Sequence, residues 1–171
     1  MLAIADSLSS NKAITISFVL MLLCGLGFGI FADSYGGVLM DLAMDEEGAL
    51  ATLAGLTPEQ KNSHFWVTVL LDSAYPLCYG AFFVGAIARL AGKHRVWAIW
   101  PNLIGVDCDY AENIVQAMAL SGNTDWLWLK DFVAPVKMAA LAIGVLFIIG
   151  FGIRALLNRK KINRNKTQVE S

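Results

Sequence analysis

Apolar residues gather into four long blocks, at about residues 13–32, 65–90, 96–120 and 132–157, with polar stretches between them. About 20 apolar residues cross the hydrocarbon core of a bilayer as a helix, so each block predicts a membrane span. The expected fold is all-α, a four-helix transmembrane bundle forming a single integral membrane domain over 1–171. The first block is longer than the roughly 7–15 apolar residues of a secretory signal, and only Lys12 flanks it, so it is expected to remain as an uncleaved helix.

The long interval 33–64 is acidic, with Asp33, Asp41, Asp45, Glu46, Glu47 and Glu59, yet it also holds Leu39, Met40, Leu42, Leu50 and Leu53. Such a segment is expected to lie against the bundle or the headgroups, and short interfacial helices fit it. Thr57-Pro58-Glu59-Gln60 reads as a helix start, with a hydroxyl cap, a proline at the first position and a glutamine placed to close a capping box. The second helix is therefore expected to begin before its apolar block.

Composition agrees with membrane residence: 57% of residues are hydrophobic, 16% are charged, and mean hydropathy is positive. Soluble domains carry about 25% charged residues. The net charge of -1 conceals a separation of signs along the chain. Lys12, Arg89, Lys93, Arg95, Arg154, Arg159, Lys160, Lys161, Arg164 and Lys166 flank one side of the spans, and only Lys61 and Lys130 the other. The positive-inside rule then places both termini in the cytoplasm, with a basic cytoplasmic tail over 158–171. Topology accounts for this basic charge, and no nucleic-acid partner is expected. Trp97 and Trp100 at one end, with Trp66, Trp126 and Trp128 at the other, suit the two membrane interfaces. Gly25 and Gly29 form a G-x-x-x-G pair in the first span, which predicts close helix packing.

The candidate chemistry lies in the middle spans. Asp72, Tyr75 and Tyr79 share one helical face, and Pro76 leaves the carbonyl of Asp72 without its usual partner. In the third span Asn102, Asp109, Glu112, Asn113 and Gln116 form a continuous polar stripe, while Asp107 points away from it. A charge near the bilayer centre costs about 2.5–3.5 kcal/mol on insertion scales, so these groups should face the bundle interior. Counted from the outer ends of their helices, they can meet Lys137 of the fourth span, which is expected to neutralise Glu112 or Asp109. Tyr75, Tyr79 and Asn113 are expected to donate to the remaining carboxylates.

Four acids within the spans, Asp72, Asp107, Asp109 and Glu112, then face one lysine. Protonation or a bound cation must relieve the excess, and an all-oxygen site without histidine suits calcium or magnesium better than zinc. No metal ligands are assigned from the sequence, and the cofactor is left unknown. Cys24, Cys78 and Cys108 have no paired metal spacing and read as small packing residues, His64 as an interfacial residue.

With Asp72-x-x-Tyr75-Pro76-x-x-Tyr79 and Asp109-x-x-Glu112-Asn113, the chain resembles small bacterial four-helix integral membrane proteins. The resemblance covers chiefly the second and third spans and implies a bacterial inner membrane and a polar bundle interior. In topology the chain is also distantly similar to the sterol isomerase and sigma-2 receptor superfamily, which implies an apolar ligand reaching a carboxylate-containing pocket. The intramembrane histidine of the isomerase chemistry has no counterpart here.

The functional expectation is a membrane protein whose intrabundle cluster binds a small amphiphile or lipid, or stabilises a membrane assembly or oligomer. The alternatives are a membrane enzyme using Asp72 or Glu112 as acid or base on a lipid-like substrate, and a proton- or cation-coupled transporter. The cluster residues are Asp72, Tyr75, Tyr79, Asn102, Asp109, Glu112, Asn113, Gln116 and Lys137.

Overall fold

A computed structural model describes the backbone from Leu2 to Val169 and the side chains from Ala3 to Lys160. The chain is helical throughout, with no strand among the described residues. In order, the helices are α1 (Leu2–Leu8), α2 (Asn11–Phe31), α3 (Glu46–Gly55), α4 (Pro58–Trp66), α5 (Ser73–Leu90), α6 (Arg95–Ala98), α7 (Trp100–Leu120) and α8 (Lys130–Val169). A widened π turn, Val67–Asp72, joins α4 to α5 so that Pro58–Leu90 forms one rod. Three rods are long and apolar enough to cross a membrane: Asn11–Tyr35, Pro58–Leu90 and Leu127–Lys160. Helix α7 is not in that class, because the polar stripe dilutes its apolar surface.

Helix starts follow local chemistry. Ser10 caps α2, its hydroxyl accepting from the Ala13 amide at 3.2 Å. Asp45 caps α3 through the Gly48 amide at 2.8 Å. The capping box at α4 forms as its sequence predicts: the Gln60 amide donates to Thr57 Oγ1 at 3.3 Å, and the Thr57 amide to Gln60 Oε1 at 2.9 Å. Helix α7 starts later than expected, at Trp100, with Pro101 in its first turn where a missing N–H costs nothing. Helix α8 starts at Lys130 and runs beyond 157. The side chains of Lys161, Arg164 and Lys166 lie outside the described residues.

The π turn ends at Asp72, one helical turn ahead of Pro76. Proline provides no N–H for the Asp72 carbonyl and crowds it, so the helix cannot keep its normal ladder there. Ser73 Oγ donates to the Thr68 carbonyl at 3.1 Å, satisfying one group of the loosened turn. Isolated π turns within α-helices occur frequently at functional sites.

The long helices pack in sequence: α2 on α5, α5 on α7 and α8, and α7 along α8. Along α7 the interior has three levels. At its start, Ala5, Val84, Ile87, Ala88, Ala91, Ala98 and Ile99 form an apolar cluster. At its end, Met40, Ala49, Leu53, Val115, Ala119, Leu120 and Leu127 form another. Between these two apolar floors lies the polar stripe. The five tryptophans stay about half exposed near the helix ends, as interfacial residues do.

Two features depart from the sequence reading. Gly25 and Gly29 face open space, and it is Gly27 that meets α5's rod, where a Cβ would lie 3.0 Å from the Leu71 side chain. The short helix α1, which the sequence did not announce, tucks Ala5 into the first apolar cluster, and its Leu8 carbonyl lies directly over Gly85. Asp6 pairs with Arg95, tying this helix to the basic turn, and Arg89 bonds the Asn11 side chain at the start of α2.

Candidate functional site: a buried carboxylate and lysine cluster

The polar stripe of α7 is interior in full. Asn102, Asp109, Glu112, Asn113 and Gln116 are all buried, and Asp107 is exposed, as the helical period requires. Asp72 on the π turn, Tyr79 on α5 and Lys137 on α8 are also buried, and Tyr75 is half-buried.

Lys137 is the hub. Its Nζ lies 2.6 Å from Glu112 Oε2, 3.3 Å from Asp109 Oδ1 and 2.6 Å from Asp41 Oδ1. Both predicted partners of this lysine are therefore found, together with one from the acidic segment. Tyr79 donates its hydroxyl to Asp109 Oδ2 at 2.8 Å. Tyr110, next along α7, donates to the Ser73 carbonyl at 2.8 Å, which fixes the register of α7 against the α5 rod.

Lys130 corrects the sequence reading. Counted there as an outer loop cation, it is 0% exposed, pairs with Glu112 and donates to the Met40 carbonyl at 3.1 Å. One heptad separates Lys130 from Lys137, and Leu127, Ala134 and Ala140 share their buried face, a signal present in the sequence. Asp41 is another member that no helical period singles out. It follows the fully buried Met40, whose burial carries the neighbouring carboxylate over the cluster. The interior balance is thus four acids, Asp41, Asp72, Asp109 and Glu112, against two lysines.

The acidic segment forms an ordered cap over the cluster at the end where α4 and α8 begin. The Met40 amide donates to His64 Nε2 at 3.3 Å, and the Glu46 amide donates to Asp131 at 2.8 Å. His64, read as interfacial, is instead 0% exposed and lies against the Tyr35 ring at 5.3 Å between centroids. A histidine with one nitrogen accepting from the backbone fits a cap anchor.

Two expected donors do not reach carboxylates. Tyr75 turns its ring edge-on to Phe28 and to Tyr79, at 5.7 and 5.4 Å between centroids, and makes no side-chain hydrogen bond among the described residues. Asn113, with Asn102 and Gln116, has both amide atoms without a hydrogen-bond partner among the described residues. Thr68 Oγ1 and Asp72 Oδ2 are likewise unpartnered. Burying an unpaired polar group costs about 1–3 kcal/mol, so several in one place are a heavy burden for packing alone to carry.

A surface groove on α2 approaches the cluster through Tyr75. It holds about 380 Å³ and is lined by Met21, Leu22, Gly25, Leu26 and Tyr75. Tyr75 touches Tyr79, and Tyr79 holds Asp109. The three cysteines are free. Comparisons of the chain with family models, with curated proteins and with solved structures find no match.

Proposed function

We propose that the chain is an integral membrane protein of four antiparallel helices, with both termini cytoplasmic, whose interior cluster binds the polar end of a small amphiphile or lipid. Helix α7 is the fourth crossing on this reading. Its charged groups are tolerable there because α5 and α8 cover them and two lysines offset them. A bacterial inner membrane suits the charge asymmetry of the flanks.

The observation that carries the reading is the contact chain from the groove on α2 through Tyr75 and Tyr79 to Asp109. An acyl or other apolar tail lies along Met21, Leu22 and Leu26, where the absent side chain of Gly25 leaves room. The polar end reaches Tyr75, with Tyr79 and Asp109 behind it. Ligand sites commonly combine such a largely apolar wall with few convergent polar groups.

Native mass spectrometry of the protein from mild detergent tests this. Wild type should retain a lipid-range adduct, and Gly25→Leu should lose it, because a leucine fills the groove. A Cβ at Gly25 meets nothing within 4 Å, so the backbone there accepts a side chain. No adduct on wild type, or the same adduct on both proteins, would refute the reading.

A further inference from the structure

Three carboxylates reach one point from three separate elements: Asp41 from the cap, Asp72 from the π turn and Asp109 from α7. One oxygen of each lies within 4.8 Å of the other two. A calcium-sized cation, with oxygen ligands at about 2.3–2.6 Å, bridges oxygens up to about 5 Å apart. Acidic groups gather on many proteins without an ion, so spacing by itself decides nothing.

Two further observations point inward. Asp72 is 3% exposed, its Oδ2 has no hydrogen-bond partner, and none of the ion pairs formed by Lys130 and Lys137 includes it. A carboxylate so buried is costly unless something positive meets it. Asn113 is also 3% exposed with both amide atoms unpartnered. It lies one turn beyond Asp109, on the flank of the stripe that leads toward Tyr110, and Tyr110 bonds Ser73, the residue next to Asp72. It is thus a second buried polar side chain left without a partner, one helical turn from Asp109.

Four acids outnumber two lysines in the cluster, an excess of acidic groups that a divalent ion would relieve. Lys137 contacts Oδ1 of both Asp41 and Asp109 and Tyr79 donates to Asp109 Oδ2, but each carboxylate oxygen carries more than one lone pair, so acceptor capacity remains. The donors are all oxygen, which selects a hard ion over zinc or copper.

We infer that Asp41, Asp72 and Asp109 form a binding site for a hard divalent cation, calcium or magnesium, beneath the cap. The inference rests on reading the cluster as a binding site and is independent of the amphiphile in the groove. Because Asp41 belongs to the cap, the ion fastens the cap to the π turn and to α7.

The test is calorimetric titration of the full chain in mild detergent, stripped with chelator, using calcium chloride and magnesium chloride separately at matched ionic strength. One metal should saturate at one equivalent and raise the midpoint of thermal unfolding. Asp72→Asn should weaken that binding by at least about tenfold, since ligand charge sets affinity at such sites, whereas the exposed Asp107→Asn should bind as wild type does. Wild type taking up neither metal by about 1 mM, the weak end of protein calcium sites, would overturn the inference. So would saturable binding that Asp72→Asn leaves unchanged. Either result leaves the Gly25→Leu adduct experiment standing, so the two readings fail separately.

Discussion

Replacing Lys130 by methionine probes the interior most directly. The lysine is 0% exposed and so is its partner Glu112, while the Met40 carbonyl takes another of its protons. Lys130→Met keeps most of the side-chain volume and removes the charge. Breaking a buried pair from one side costs about 3–5 kcal/mol, because the remaining charge loses its partner while still desolvated. Lys137 lies 2.6 Å from Glu112 Oε2 and softens the loss, which places the expectation near the lower figure. For a chain of this length about 3 kcal/mol lowers the unfolding midpoint by roughly 6–12 °C. The Asp6 and Arg95 pair is the control. Its side chains are 53% and 35% exposed, and such surface pairs contribute about 0–1 kcal/mol, so Asp6→Asn should shift the midpoint little. The double variant Lys130→Met with Glu112→Leu removes both charges and should recover much of the stability lost by the single one. Thermal unfolding in one detergent, followed by circular dichroism, reads all of these. Lys130→Met no more harmful than Asp6→Asn, or a double variant worse than the sum of its singles, would refute the argument that this pair is desolvated and mutually compensating.

Two further expectations rest on single contacts. Tyr79→Phe removes a hydrogen bond to a carboxylate, worth about 1.5–3 kcal/mol, and should destabilise more than Tyr110→Phe, whose lost bond to a carbonyl is worth about 0.5–1.5 kcal/mol; equal losses in chemical denaturation would count against an ionised Asp109. Gly144→Ala drives a methyl into the buried Asn102 side chain and should cost about 1–3 kcal/mol. At Gly150, where nothing lies within 4 Å, the same change should gain about 0.5–1 kcal/mol from helix propensity, and unfolding midpoints that move the same way would contradict the packing at Gly144.

The sequence makes periodic features legible and leaves contacts across connections obscure. The stripe from Asn102 to Gln116 follows from helical geometry, as does the outward position of Asp107, and both hold in three dimensions. The box at Thr57 is local chemistry and forms as written. Lys137 found Asp109 and Glu112 because depth in antiparallel helices can be counted. Asp41 could not be found in that way: six acids share its segment, and only the burial of Met40 selects one of them. His64 was hidden for the same reason, since the group that covers it, the Met40 amide, comes from the same cap. Lys130 stands beside Trp126 and Trp128, so interfacial neighbours outweighed a heptad that was there to be counted. The G-x-x-x-G pair misled because small residues permit an approach without supplying a neighbour.

The two lysines that offset the acids of α7 both belong to α8, which is synthesised later. If α7 crosses the bilayer, it leaves the ribosome with Asp109 and Glu112 still uncompensated, and it is not apolar enough to be a membrane span by composition. Its compensation arrives with residues 130–137, only about two turns into the next helix. The natural unit of insertion is then the α7–α8 hairpin, and a chain ending before Lys130 would present the translocation machinery with a helix that has no reason to stay in lipid.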